Sequence, residues 1–260
     1  MSISLSRAIP FSIIAYGGTS LFMYKYGKMK IANDKIMEIK NKREFLYKKH
    51  QEIAEGYEKM IEKREGINKL IRFRKTLISY ATGKVLETGC GTGINSEFYK
   101  EDAEVTAVDW SKNMIQEALG KEYDTKKIKY KIADVENLPY KDESFDTVVD
   151  TFSLQSYFDR NKALGEIKRV LKPGGLFLVL GRGTSYVSLY NEYLQFRAGL
   201  DIESEGSVFN LDFEKLFEED DDLEVEHIER KNLGMTYIMM VRKKSINKPV
   251  AETQEPQKKE

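Results

Sequence analysis

The chain has 260 residues, 41% of them hydrophobic, which is enough for one full α/β core with material left over at both ends. Its 42 basic and 42 acidic residues give a formal net charge of +0, which argues against nucleic acid or another polyanion as a partner of the whole chain. The single cysteine, Cys90, excludes an internal disulfide and offers no zinc site, so we predict no metal.

The segment from Ala8 to Tyr24 contains no charged residue. A helix of roughly 17 residues spans about 25 Å, and snorkelling from Arg7 and Lys25 extends its reach toward a hydrocarbon core of about 30 Å. We therefore predict that residues 1–30 are an uncleaved membrane helix with its flanks, in contact with membrane lipid. An apolar helix docked on a partner protein is the alternative.

The distribution of charge around this segment predicts its orientation. Residues 25–35 hold four lysines, whereas Arg7 alone precedes the segment. The positive-inside rule then keeps the rest of the chain on the cytosolic or matrix side. No acidic residue comes before Asp34, which is compatible with mitochondrial import.

Residues 31–80 form the next unit, a charged helical arm. A lysine-rich spacer near lipid headgroups explains residues 31–50 equally well. A narrow apolar stripe runs along the arm at spacings of three or seven residues, at Ile36, Ile39, Leu46, Ile53 and Met60.

The sharpest signal is the run from Lys84 to Gly93, where an apolar strand pattern ends in three alternating glycines behind Glu87. The spacing is neither the G-x-G-x-x-G of a dinucleotide site nor a P-loop with its Lys-Ser/Thr pair. What remains is a tight turn, a helix N-terminus with N–H groups suited to a carboxylate, and an acidic side chain for a cation. A ligand with an amino acid head and a nucleoside fits this pattern, and S-adenosylmethionine is that ligand.

Strand and helix patterns alternate through residues 81–244, which we assign to one domain. This alternation predicts an α/β fold with a doubly wound, mainly parallel sheet covered by helices on both faces. Residues 245–260, polar and with two prolines, are predicted to be a disordered tail. After the glycine run, strands are predicted at residues 105–109, 128–133, 144–150 and 176–180.

Two helices of this domain have clear boundary signals. Ser111 is expected to cap a helix that ends at Leu119. A second, amphipathic helix carries Ala163, Leu164 and Ile167 on one face. It is expected to stop at residues 172–175, Lys-Pro-Gly-Gly, because proline cannot continue a helix and glycine supplies a left-handed cap.

These motifs resemble those of class I S-adenosylmethionine-dependent methyltransferases, in particular the group with the ubiquinone and menaquinone C-methyltransferases. The resemblance covers roughly residues 50–243. Short stretches around Arg182 and near the last strand are similar to membrane-anchored mitochondrial methyltransferase-like proteins. The resemblance implies a Rossmann-like fold and S-adenosylmethionine as cofactor. It also implies that the segment before the first strand closes over the cofactor, with Tyr57 and Phe73 as the roof of the pocket. Five ordered stretches carry it, at residues 87–93, 109–111, 133–139, 144–146 and 171–175.

The resemblance also implies roles for the residues of the glycine run. Gly89, Gly91 and Gly93 would line the methionine moiety of the cofactor, and Glu87 would orient its ammonium group through the loop. An ordinary strand-to-helix turn is the alternative explanation of the glycines.

Three residues downstream would hold the adenosine part of the cofactor. Asp109 would bind the ribose hydroxyls, unless it only caps the following helix. Asp134 would meet the adenine amino group, with a solvated turn residue as the alternative. Trp110, the only tryptophan, covers the adenosine face or serves packing alone.

Residues for a small-molecule acceptor are expected after the fourth and fifth strands, because ligands of open α/β sheets bind outside the carboxyl ends of the strands. We assign no catalytic residue. The two histidines, His50 and His227, lie on no motif, which argues against a histidine base. The candidate acceptor residues are Gln155, Tyr157, Arg182 and Tyr186.

Three functions are compatible with this sequence. The first, which we favour, is a membrane-anchored methyltransferase that acts on a small lipophilic acceptor such as a quinone precursor or a thiol. The second is a methyltransferase-like subunit or assembly factor of a mitochondrial membrane complex, without turnover. Methylation of protein or RNA is the third.

The expected location is the mitochondrial inner membrane, with the domain on the matrix side. The alternative is the membrane of the endoplasmic reticulum, with the domain on the cytosolic side.

Overall fold

A computed structural model describes residues 24–36, 38–61, 70–121 and 128–245. Most of the predicted membrane segment and nearly all of the predicted tail lie outside these residues. Within the described ranges, no helix combines the length and the apolar character that crossing a membrane requires.

One seven-stranded sheet organises the domain, in the order β3-β2-β1-β4-β5-β7-β6. The first five strands of the chain are parallel, and β7 runs antiparallel between β5 and β6. The sheet is thus mainly parallel and doubly wound, as predicted. The strands are β1 (Lys84–Thr88), β2 (Glu104–Asp109), β3 (Lys129–Ile132), β4 (Phe145–Thr151), β5 (Leu171–Arg182), β6 (Leu223–Lys231) and β7 (Thr236–Lys243).

Helices cover both faces of this sheet. Residues 24–36 and 57–61 are helical as well, and Ala54–Gly56 forms a short 3₁₀ turn. The helices with described bounds are α1 (Lys42–Ile53), α2 (Leu70–Ile78), α3 (Lys112–Leu119), α4 (Arg160–Val170), α5 (Ser188–Glu205) and α6 (Phe213–Glu218).

The two predicted helix boundaries have different outcomes. Ser111 caps α3 as expected, since its hydroxyl accepts a hydrogen bond from the Met114 N–H, and α3 ends at Leu119. α4 ends at Val170, just before the predicted stop, but residues 171–175 already belong to β5 and are not a separate cap. Leu171 is fully buried and pairs with Phe145 of β4, so sheet pairing begins at Leu171, earlier than the predicted start of the strand.

Apolar side chains from both faces of the sheet form the core. One cluster joins β1, β4 and β5 to α4 and α6 through Leu86, Ile167, Phe177 and Phe213. A second cluster on the other face includes Leu77 and Ile78 of α2. Phe73 packs against this second cluster, so its expected place over a pocket is wrong.

The arm packs onto the domain through fewer apolar residues than its sequence suggests. Helix 24–36 buries Met29, Ala32 and Ile36, whereas α1 buries no residue completely. α1 is held mainly by polar contacts instead. The Gln51 side-chain oxygen accepts hydrogen bonds from the Ser111 hydroxyl and the Asn113 N–H, at 3.1 and 2.9 Å.

Candidate active site

A cavity lies at the carboxyl ends of the parallel strands, with the arm as its outer wall. It encloses about 1020 Å³, part of which is open to solvent. Its walls come from the loops that follow β1, β2, β3 and β4, the last residue of β5, the C-terminal end of α5 with the segment after it, and α1 with the segment after it. The predicted cofactor residues that line it are Gly89, Gly91, Asp109, Trp110 and Asp134.

The glycine turn after β1 forms the floor of this cavity. Gly89 and Gly91 adopt φ values of 58° and 54°, in the left-handed region where side chains are strained. A Cβ atom on Gly89 would lie 2.3 Å from the Ser153 Oγ atom, whereas one on Gly91 would project toward the Tyr57 ring at 3.7 Å. Gly89 is therefore required by close packing, and Gly91 keeps the cavity open.

Asp109, at the end of β2, holds the glycine turn in place. Its Oδ2 atom accepts a hydrogen bond from the Gly91 N–H at 3.0 Å, and its Oδ1 atom accepts one from the Ser111 N–H at 2.8 Å. Burial raises the pKa of this carboxyl to about 6, against the opposing effect of the two N–H donors. The side chain is thus a carboxylate at neutral pH and lies in the wall of the cavity.

Trp110 connects the cavity wall to the arm. Its indole Nε1–H donates to His50 Nδ1 at 2.9 Å, and the Tyr47 ring packs edge-on against it with centroids 5.7 Å apart. His50 lines the same cavity. Its place within a helical sequence pattern gave no indication of this. Burial lowers the pKa of His50 to about 4, so the ring is neutral at physiological pH.

Asp134 follows β3 and pairs with the arm. Its carboxylate forms an ion pair with Arg43, which also pairs with Glu136. The Arg43 guanidinium lies over the Trp110 ring, 5.6 Å from its centroid. Arg43 thus bridges α1 to the loop after β3, and it carried no sequence signal beyond the general charge of the arm.

Glu87 and Gly93 do not line the cavity. The Glu87 carboxylate is buried and accepts hydrogen bonds from Asn95 Nδ2 at 2.9 Å and from the Tyr99 hydroxyl at 2.8 Å. Burial raises the pKa of Glu87 to about 7 despite these donors. Gly93 begins a 3₁₀ turn at φ 75°, and a Cβ atom there would lie 2.6 Å from the Tyr130 hydroxyl.

A buried carboxylate that sequence reasoning missed lies beneath the cavity. Asp150 in β4 accepts hydrogen bonds from the Tyr157 hydroxyl at 2.7 Å and from the N–H groups of Ser153 and Leu154 at 3.0 Å. Burial raises its pKa to about 6. Asp150 therefore fixes the loop after β4, which contributes Ser153 and Tyr157 to the cavity wall.

The other end of the cavity contains most of the predicted acceptor residues. Gln155, Tyr157 and Arg182 line it, and Tyr57 lines it from the arm as expected. The Arg182 guanidinium lies 5.1 Å from the centroid of the Phe209 ring, and the Arg182 backbone N–H donates a hydrogen bond to the Gln155 Oε1 atom at 3.0 Å. Tyr186 is absent from this wall and largely exposed, so its prediction is wrong.

Phe152 marks the junction of the two ends of the cavity. Its φ of 63° is left-handed, which is rare for an aromatic residue and costs backbone strain. Two contacts hold Phe152 in this conformation. Its N–H donates a hydrogen bond to the Leu180 carbonyl, with 2.6 Å between nitrogen and oxygen, and the Arg74 guanidinium lies 4.8 Å from the centroid of its ring.

Within the described part of the chain, no group of His, Cys, Asp and Glu side chains is arranged to hold a metal ion.

Comparisons with known proteins agree with this geometry. A family model described as a methyltransferase domain matches residues 86–179. The yeast protein named Methyltransferase OMS1, mitochondrial, from Saccharomyces cerevisiae is 32% identical over 216 residues, which cover 75% of this chain and 45% of that protein. A ubiquinone/menaquinone biosynthesis C-methyltransferase of Desulfotalea psychrophila is 27% identical over 62% of this chain and 70% of its own length.

Solved structures match the fold. An S-adenosylmethionine-dependent methyltransferase from Methanosarcina mazei superposes with a TM-score of 0.53 at 22% identity, over 65% of this chain and 95% of that one. An S-adenosylmethionine-dependent methyltransferase from Mesorhizobium loti superposes with a TM-score of 0.52 at 18% identity, over 65% of this chain and 95% of that one.

The chain belongs to the class I S-adenosylmethionine-dependent methyltransferases, and S-adenosylmethionine is its cofactor. It nevertheless spans less than half the length of its yeast relative, 45%.

Proposed function

We propose that this protein transfers a methyl group from S-adenosylmethionine to a small lipophilic acceptor, such as a quinone precursor or a thiol, at a membrane surface. The observation that carries the proposal is that one cavity joins the glycine turn and Asp109 to Gln155 and Arg182. A direct transfer requires the two bound molecules to lie next to each other in one continuous cavity.

The residues present fit the cofactor. Gly91 lacks the side chain that would fill the cavity, and Asp109 offers a carboxylate to hydroxyl donors. We propose that Gly89 and Gly91 border the methionine part, that Asp109 binds the ribose, and that Trp110 covers the adenosine. Asp134 would meet the adenine only if it shares its carboxylate with Arg43. Glu87 and Gly93 would act indirectly, by holding the glycine turn.

In the proposed reaction, this chain's residues mainly position the acceptor. When bound, the cofactor supplies an activated methyl group on a positively charged sulfur. Phe152, Tyr157 and Phe209 offer aromatic surface to a flat, apolar acceptor, and Arg182 offers a positive charge to its ionised form. A neutral His50 with a pKa of about 4 is a weak base, so the acceptor proton would leave to solvent.

We propose a mitochondrial location with the domain on the matrix side of the inner membrane. Support comes from the uncharged segment Ala8 to Tyr24, the four lysines within residues 25–35, and the mitochondrial name of the yeast relative. The proposed division of the chain is an anchor at residues 1–30, an arm at 31–80, a methyltransferase domain at 81–244 and a tail at 245–260.

A transfer assay tests the proposal. Membranes that carry the full chain are incubated with S-adenosylmethionine that has a radiolabelled methyl group, and then separated into lipid-soluble, protein and nucleic-acid fractions. We expect label in the lipid-soluble fraction, and none there with a Gly91→Val variant. Label confined to protein or RNA would refute the acceptor class. Cofactor binding without any transfer would favour a non-catalytic subunit.

A further inference from the structure

Five large apolar side chains form an exposed patch at the carboxyl edge of the sheet. They are between 43% and 75% exposed, whereas side chains of this kind are usually buried. The patch is continuous between the two segments that carry it, because the Tyr186 N–H donates to the Leu233 carbonyl at 3.0 Å. We call it the edge patch; its members are Tyr186, Val187, Leu189, Tyr193 and Leu233.

The edge patch is built rigidly. Asn191 of α5 bonds the backbone N–H and carbonyl of Ser185 at 2.6 and 2.9 Å, which fixes the loop to the first turns of the helix. The Arg230 guanidinium lies over the Tyr186 ring, 4.3 Å from the centroid of that ring. Leu189 and Tyr193 are four residues apart and therefore share one face of α5. An ordered apolar surface of this kind needs a partner.

The contacts of helix 24–36 show where Tyr24, the last residue of the apolar N-terminal segment, lies on the domain. Tyr26 stacks on Phe196 with ring centroids 4.7 Å apart, and the Asn33 Oδ1 atom accepts a hydrogen bond from the Gly199 N–H at 2.7 Å. Further along, Lys35 pairs with Glu203. The contacts advance in the same direction along both helices. Residue 24 thus lies toward the N-terminal end of α5, the end that carries the edge patch.

We infer that the edge patch is a second membrane contact, seated on the surface of the bilayer that the segment Ala8 to Tyr24 enters. This inference rests on the proposed membrane anchor. Tyr24, the last residue of the uncharged segment, and the exposed apolar patch lie toward the same end of α5, so one bilayer could contact both. Tyrosines favour the interface between headgroups and acyl chains.

The charges near the patch fit the same partner. Lys25, Lys28 and Lys30 are exposed on the first turns of helix 24–36 and would face anionic headgroups. Residues 183–200 contain a single acidic residue, Glu192. The patch lies at the same edge of the sheet as the cavity, since Tyr186 follows β5 and Leu233 precedes β7. A bilayer on the patch would lie beside the acceptor end of the cavity and deliver a lipophilic acceptor there.

Site-specific fluorescence with lipid quenchers tests this inference. The full chain, with either Leu189→Cys or Tyr80→Cys, is labelled with a polarity-sensitive fluorophore and reconstituted into vesicles of phosphatidylcholine and phosphatidylglycerol. Tyr80 is the matched control because it is 51% exposed and precedes β1, at the opposite edge of the sheet. The parent chain serves as the blank, since its single cysteine, Cys90, is buried.

We expect brominated lipids to remove most of the fluorescence at position 189 and little at position 80. Equal, weak quenching at both positions would refute the membrane contact of the edge patch. If the same chain still resists extraction by alkaline carbonate, the proposed anchor is unaffected by that result. A blue-shifted label at 189 that brominated lipid cannot quench would also overturn it, because a second copy or the chain's own apolar segment would then cover the patch. Circular dichroism verifies that each variant is folded.

Discussion

The indole N–H of Trp110 donates a hydrogen bond to Nδ1 of His50 at 2.9 Å, which ties the wall after β2 to the arm helix α1. His50 also forms a backbone hydrogen bond with Gly206, at the C-terminal end of α5. One neutral imidazole therefore joins three elements around the cavity. Its geometry is that of a structural residue, because both ring nitrogens are engaged within the protein.

The first prediction follows from this pair. His50→Ala should loosen the arm and raise KM, but it should leave kcat within about tenfold of the parent value, because a histidine with a pKa of about 4 is a weak proton acceptor. Steady-state kinetics between pH 6 and 8 measure this, with His227→Ala on β6 as the matched control. A hundredfold loss of kcat in a folded, cofactor-binding His50→Ala protein would reveal a base.

The second prediction concerns Arg43, which pairs with Asp134 and Glu136, two carboxylates of the cavity wall. Arg43→Ala should leave two carboxylates without their partner and detach α1, so amide exchange in α1 should rise severalfold and cofactor affinity should fall about tenfold. Lys42→Ala, next to it and exposed, should change neither. Unchanged exchange in α1 of the Arg43 variant would contradict a latching role.

Much of the fold and part of the site could be predicted from the sequence, because they depend on local patterns. The glycine turn and Asp109 are adjacent to strand ends, so their position follows from the parallel sheet alone. His50 and Arg43 could not be predicted as site residues, since only the packing of the arm brings His50 into the cavity wall and Arg43 against the wall residue Asp134. The early start of β5 was missed for a similar reason, since the pairing of Leu171 with β4 is a tertiary contact that the local sequence does not reveal.

The third prediction is a pH dependence of stability. Burial raises the folded-state pKa of Glu87 to about 7, and those of Asp109 and Asp150 to about 6, all above their unfolded values. The folded state then prefers the protonated forms. The stability they contribute is full below about pH 4 and is lost as pH rises through 6 to 7. Glu87→Gln should therefore flatten the fall in the free energy of unfolding between pH 5 and 8.

Urea unfolding at several pH values measures this dependence, with a comparison to the exposed Glu101→Gln variant. The Glu101 variant should retain the slope of the parent chain. If Glu87→Gln and the parent chain show the same slope, the raised pKa of Glu87 is wrong.

The fourth prediction concerns the anchor. Alkaline carbonate should leave the full chain in the membrane pellet, whereas a chain that starts at Tyr24 should be extracted more readily. A start at Tyr24 retains Met29, which is buried against the domain. Release of the full chain by carbonate would show that Ala8 to Tyr24 does not span, and a helix docked on a partner protein would then replace the anchor.

The central claim is that the cavity at the carboxyl edge binds the cofactor through Asp109, and titration calorimetry of the purified chain with S-adenosylmethionine tests it most directly. We predict one site of micromolar affinity, and a loss of about tenfold to a hundredfold in Asp109→Ala, because a charge-assisted hydrogen bond contributes about 1.5 to 3 kcal/mol. Asp102→Ala, at an exposed position before β2, should bind like the parent chain. Absence of heat and of any thermal shift with S-adenosylmethionine or S-adenosylhomocysteine would contradict the account.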